Sequence, residues 1–258
     1  NKFYLNELDY TNGLEYYTTH PLSRNRKQFL DNRVEKENGL GVDDFNRKYG
    51  ERFNFVKAKI IAYNGGSVGN GTFGNIQKKS DYERYGKSII YMNQNNTREA
   101  LENVNYLIGK YKNNPYFFEL KGDIYLKNND VKNALIWYNR ADEILKNNVL
   151  IKNTIAFIII KYNQKDLYRD AENKLNFVIH NDKNNPNALK LMGELYYNKN
   201  EIGKSYLYLS EYYMTINDYQ KAKKYLDDSK KYMKQENIEK KVNELEIFIN
   251  EMDRKKKL

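Results

Sequence analysis

The sequence predicts an all-α protein, a solenoid of stacked helical hairpins. The stretch 115–148, PYFFELKGDIYLKNNDVKNALIWYNRADEILKNN, reads as two amphipathic helices joined by a polar turn. Within it, Gly122, Ala134 and Ala141 fall at positions 8, 20 and 27 of a 34-residue unit, with Tyr125 at 11 and Tyr138 at 24. Small residues at such places let antiparallel helices approach closely, and the rings fill the space beside them. The anchor then recurs. Ser88, Gly122 and Ala156 stand 34 residues apart, and Gly193 follows after 37.

That register is the tetratricopeptide (TPR) pattern. It starts units one to three near Asp81, Pro115 and Val149 and a fourth near Pro186. The three extra residues of the longer period fall in the turn NQKDLYRD, since Ala134 and Ala171 are also 37 apart. The fourth unit drifts: Ser205 takes position 20, yet the same helix also reads as the start of a last unit, with Ser210 at 8, Tyr213 at 11 and Ala222 at 20. The final segment IEKKVNELEIFINEMD places Ile238, Val242, Leu245 and Ile249 on one face, which suits a capping helix. A coiled-coil partner helix is the alternative, over barely two heptads.

Composition bounds the rest. At 258 residues the chain has length for one large or two small domains. It opens on Asn1 without an apolar leader, so we expect a removed leader or a piece of something longer. No apolar run reaches the ~18 residues of a spanning helix. With no cysteine, disulfide and thiolate chemistry are excluded. The net charge of +10 admits an anionic partner, but most lysines are interleaved with Asp, Glu and Asn, as on a solvated face. Only the tail MDRKKKL is a basic cluster. Because the basic residues form no stripe with stacking aromatics, no nucleic-acid partner is expected.

Ahead of the repeats, residues 1–20 are polar and aromatic, with a turn signal at Asn12-Gly13. A basic helix is expected over residues 23–36, stopped by the Gly-Leu-Gly of 39–41. A second should start near Asp43-Asp44, whose carboxylates suit an N-terminus, and carry Phe53, Val56, Ile60 and Tyr63 on one stripe. The stretch 64–75 contains a literal GxGxxG at Gly69, Gly71 and Gly74. A phosphate loop needs a preceding strand, and here a helix precedes, so we read a linker.

One phrase is more specific. YTTHPLSRNR at 17–26 contains THPLSxxR, the later FxxVKAKIIAY spans 53–63, and PYFFELKG opens the second repeat. In that order these features resemble the C-terminal part of bacterial zinc metallopeptidases of family M-48 that bear TPR repeats. The resemblance implies a short helical remnant of the metallopeptidase domain over 1–63, a linker over 64–80, repeats over 81–235, and a capping helix with basic tail over 236–258. It implies a periplasmic setting, a role in outer-membrane protein assembly or quality control, and zinc in the full-length parent. The family's HExxH is not in this sequence, whose only histidines are His20 and His180, so this chain alone is expected to hold no catalytic zinc and cleave nothing. His20 matches the histidine of the family's His-Pro motif, a possible accessory zinc ligand; the alternative is a loop residue fixing the turn at Pro21. Arg26 matches the motif's arginine, near the cleft. His180 reads as a cation at a helix C-terminus.

A TPR array offers a groove lined by the first helix of each pair, chiefly through positions 2, 5, 9 and 12. On this register Tyr82, Tyr85 and Met92 face it from unit one, Tyr116 and Leu126 from unit two, Phe157 and Ile160 from unit three, and Lys190 and Tyr197 from unit four. The surface suits an extended polypeptide or a docking helix, a protein client or the chain's own protease domain; the alternative is that some of these rings are core. Lysines do not pair at carboxylate-clamp positions. A stand-alone TPR scaffold without protease activity is the alternative function.

Overall fold

A computed structural model describes residues 42–64, 80–232 and 236–257. The expectations placed on residues 1–41, His20 and Arg26 among them, and on Gly69, Gly71 and Gly74 lie outside the described residues. Among the described residues there are eleven α-helices and no strand. They are α1 (Val42–Tyr63), α2 (Asp81–Asn93), α3 (Thr97–Lys110), α4 (Pro115–Lys127), α5 (Val131–Ile144), α6 (Val149–Lys161), α7 (Tyr168–Asn181), α8 (Pro186–Asn198), α9 (Ile202–Thr215), α10 (Tyr219–Tyr232) and α11 (Glu236–Lys257). A short 3-10 turn, Lys165–Leu167, precedes α7 and absorbs the three extra residues of unit three.

The starts are written locally. Asn114, Asn148 and Asn185 cap α4, α6 and α8 with their side-chain oxygens, and Pro115 and Pro186 occupy first-turn positions where no amide is needed. The turns inside each hairpin share one device. Asn95, Asn129, Asn163, Asn200 and Asn217 all adopt positive φ, between 52° and 61°. Each donates its amide three residues back, and the next residue donates to the carbonyl of position 11: Asp130 N to Tyr125 O at 2.9 Å, Glu201 N to Tyr196 O at 2.8 Å. This paired bonding closes the helix on a left-handed residue, and asparagine tolerates that conformation well.

Packing confirms the register. A Cβ on Gly122 would stand 2.8 Å from Tyr138 Cδ2, and one on Gly193 would stand 2.8 Å from Leu209 Cγ, so position 8 abuts position 24 in both units. Where position 8 is serine, its buried hydroxyl satisfies the carbonyl of position 20: Ser88 donates to Ala100 O and Ser210 to Ala222 O, each at 2.8 Å. In unit four the roles reverse, and Ser205 donates to Gly193 O at 2.8 Å. Helix α9 thus serves twice, as second helix of unit four through Ser205 and as first helix of the last unit through Ser210. Val242 and Ile249 of α11 are buried against this end, with Leu245 and Met252 beside them.

Helix α1 departs from the expected stripe. Phe53, Val56, Ile60 and Tyr63 are all about half exposed, whereas Ala58 and Ala62 are buried and Phe55 packs inward. The alanines permit close approach to α2, which the bulkier stripe would prevent. Phe55 meets Tyr82, Tyr85, Tyr111 and Phe117 edge-on, with centroids 4.8–5.8 Å apart.

Candidate functional site

In unit one the positions facing a groove are already taken. Tyr85 and Met92 are 4% and 7% exposed, Ile89 is wholly buried, and Tyr82 is half-buried against Phe55. The register places these side chains on a ligand face; the structure puts Tyr85 and Met92 in the core, because α1 lies along that face. Helix α2 also carries Glu83 and Lys87, paired at 2.6 Å.

The end of α1 reaches unit two. Asp123, at position 9, accepts a hydrogen bond from the Tyr138 hydroxyl. Burial pushes its carboxyl up to about 6, with Glu119 adding to the rise while the Tyr138 bond and Lys59 oppose it. Tyr63 is pushed up to about 12 by burial together with the carboxylates of Asp123 and Glu119. Leu126 is half-buried against the central core, and Tyr116 remains 53% exposed.

Units three and four are open. Phe157, Ile160, Lys190 and Tyr197 border one depression of about 600 Å³ between α6, α8 and α9. Ile160 is its buried floor, while Phe157 and Tyr197 expose their rings. Lys161 adds a cation 5.2 Å from the Phe157 ring centroid, and Glu194 stands 3.8 Å from the Lys190 ammonium, a solvent-screened pair of little energetic weight. Lys161 and Asn198 escaped the register because they are at position 13, one turn beyond position 9 on the same helix face; helical periodicity alone points to them.

Outside this depression the hairpins are pinned to one another. Asp142 accepts from Lys152 at 2.8 Å and Lys174 at 2.9 Å, linking α5, α6 and α7, with all three side chains nearly buried. Glu172 accepts from Tyr196 at 2.6 Å and Lys199 at 2.9 Å, fastening α7 to α8. Such ties hold the first helices of the pairs (the A helices, here α6 and α8) at fixed spacing, so the ligand face is preformed. His180 is exposed in the last turn of α7. Among the described residues no three His, Asp or Glu side chains converge as metal donors, and no helix is long and apolar enough to cross a membrane.

No protein-family model matches the chain, and no curated protein matches its sequence significantly. A solved structure described as YrrB, a TPR protein with an unusual peptide-binding site, is similar over 74% of this chain and 94% of its own, at 15% identity and a TM-score of 0.48. The chain is a helical-hairpin solenoid with TPR-like repeats, an architecture suited to protein–protein interaction.

Proposed function

We propose that this chain is the polypeptide-binding arm of a zinc metallopeptidase and holds extended or partly folded clients on the A-helix face of units three and four. The observation that carries the binding role is the depression of about 600 Å³ in which Phe157 and Tyr197 present exposed rings over the apolar floor of Ile160, with Lys190 at its edge. Exposed aromatics beside an apolar floor are the usual anchors of polypeptide recognition. The resemblance at residues 17–26 and 53–63 supports the protease setting, the periplasmic location and a part in outer-membrane protein assembly or quality control. The described residues offer no donor set for zinc, so no catalytic step is derived from them.

The binding role is tested with a fluorescently labelled, chemically unfolded polypeptide titrated with the chain. The double variant Phe157→Ala, Tyr197→Ala should weaken binding at least tenfold while circular dichroism shows the helical fold retained. Equal affinity of variant and parent would overturn it. The protease setting is tested separately in the upstream reading frame. A signal peptide and an HExxH support it; a start codon near Asn1 leaves a stand-alone scaffold.

A further inference from the structure

We propose that a second cleft, between α1 and the junction of α3 with α4, binds an acidic polypeptide segment carrying a bulky apolar side chain. The cleft has a volume of about 980 Å³, room for two or three side chains of an extended peptide. It lies apart from the depression of units three and four and shares no residue with it.

Its walls are aromatic. Phe55, Tyr85, Tyr111 and Phe117 pack edge to face, with centroids 5.3–5.8 Å apart, and form a rigid apolar back. At the mouth, Val56 and Tyr116 remain 54% and 53% exposed, an uncovered apolar surface. The rim is basic: Arg52, Lys59, Lys110 and Lys112 border it, and among the described residues no carboxylate does. The two acids just behind it are engaged. Asp81 accepts from Lys110 at 2.5 Å and from the Tyr111 hydroxyl at 2.8 Å, and Glu51 accepts from the same hydroxyl at 2.9 Å. Burial alone would raise Asp81, but the bonds from Lys110 and Tyr111 outweigh it and hold the carboxyl below its usual range, so it stays charged and committed. Among the side chains of residues 50–64 and 80–232 no carboxylate stands within ion-pairing distance of Arg52 or Lys112.

Charge selects the occupant. An apolar side chain enters against the rings while flanking carboxylates meet Arg52 and Lys112; Lys59 already faces Asp123. A second copy of this chain, itself at +10, brings like charge to the rim. A single-stranded nucleic acid is the poorer fit, because the rings are spent on each other edge-on and offer few free faces for stacking bases.

The test is fluorescence anisotropy on the 258-residue chain with a labelled ten-residue peptide, one phenylalanine flanked by glutamates. Binding is expected, weakening at least tenfold in the double variant Arg52→Glu, Lys112→Glu and weakening on raising salt from 50 to 300 mM. The variant Val56→Asp should also weaken it, and Phe157→Ala, Tyr197→Ala should not. Circular dichroism checks that each variant stays folded. Any one of four results overturns the proposal: no binding, equal binding by the charge-reversed variant, dependence on Tyr197, or tighter binding of a single-stranded thymidine oligonucleotide.

Discussion

Single atoms decide much of this molecule, and position 8 shows it best. Gly122 is glycine because a methyl group there would stand 2.8 Å and 2.9 Å from two atoms of the Tyr138 ring. Gly122→Ala should therefore cost about 1–3 kcal/mol in urea denaturation, as overpacking does. Gly109 is the control, since a Cβ there meets nothing within 4 Å. Gly109→Ala should leave stability unchanged or raise it by up to about 1 kcal/mol. The Tyr138 hydroxyl leads to a second expectation. Its acceptor Asp123 titrates at about 6, against about 3.9 unfolded, because burial disfavours the charge. Between those values the folded chain keeps a proton that the unfolded chain releases, so stability falls as pH rises from about 4 to 6. Asp123→Asn retains an acceptor for Tyr138 without the charge. It should stabilise the protein by up to about 3 kcal/mol at pH 8 and give no such gain at pH 4. Parallel pH curves for parent and variant would refute this account of the carboxyl.

Elements were legible where periodicity and small residues agreed. The helix starts at Asp81, Pro115, Val149 and Pro186 stand where the register puts them, and the 3-10 turn sits in NQKDLYRD. The double use of α9 could be read from Ser205 and Ser210 on one helix. What the sequence hid was what covers what. Tyr85 and Met92 have the right spacing for a groove, but they are buried in a cluster to which α1 contributes Ala58 and Ala62, an alanine face less conspicuous in sequence than the Phe53–Val56–Ile60 stripe. The left-handed asparagines were hidden differently: the chain is so rich in asparagine that one Asn per turn attracts no notice. They make an element-scale test. Asn129→Gly should change stability by no more than about 0.5 kcal/mol, because glycine also accepts φ of 58°. Asn129→Val should cost about 1–2 kcal/mol, because a β-branched residue resists that conformation. Equal stability of the two variants in thermal denaturation would show that the turn does not hold this geometry in solution.

At the scale of the whole molecule, stability is passed from neighbour to neighbour. Each hairpin touches mainly the next, and the buried side chains form successive clusters: α1 to α4, α4 to α8, and α9 to α11. Ile108 borders the first two, so those ends of the array are coupled through shared packing. The last cluster is small and depends on Val242 and Ile249 of α11, which pack over α9 and α10. An array of this kind unfolds from a weakened end inward. Val242→Asp puts a charge where 5% of the side chain now meets water, at a cost of roughly 2–4 kcal/mol to the terminal cluster. In hydrogen exchange, amides of α9 and α10 should then lose protection while those of α6 and α7 keep theirs, pinned by Asp142 with Lys152 and Lys174. The Phe157–Tyr197 face sits at the border between these regions. Binding there should fall in Val242→Asp only to the extent that α9 frays, and loss of protection spread evenly over all helices would show a single cooperative unit instead.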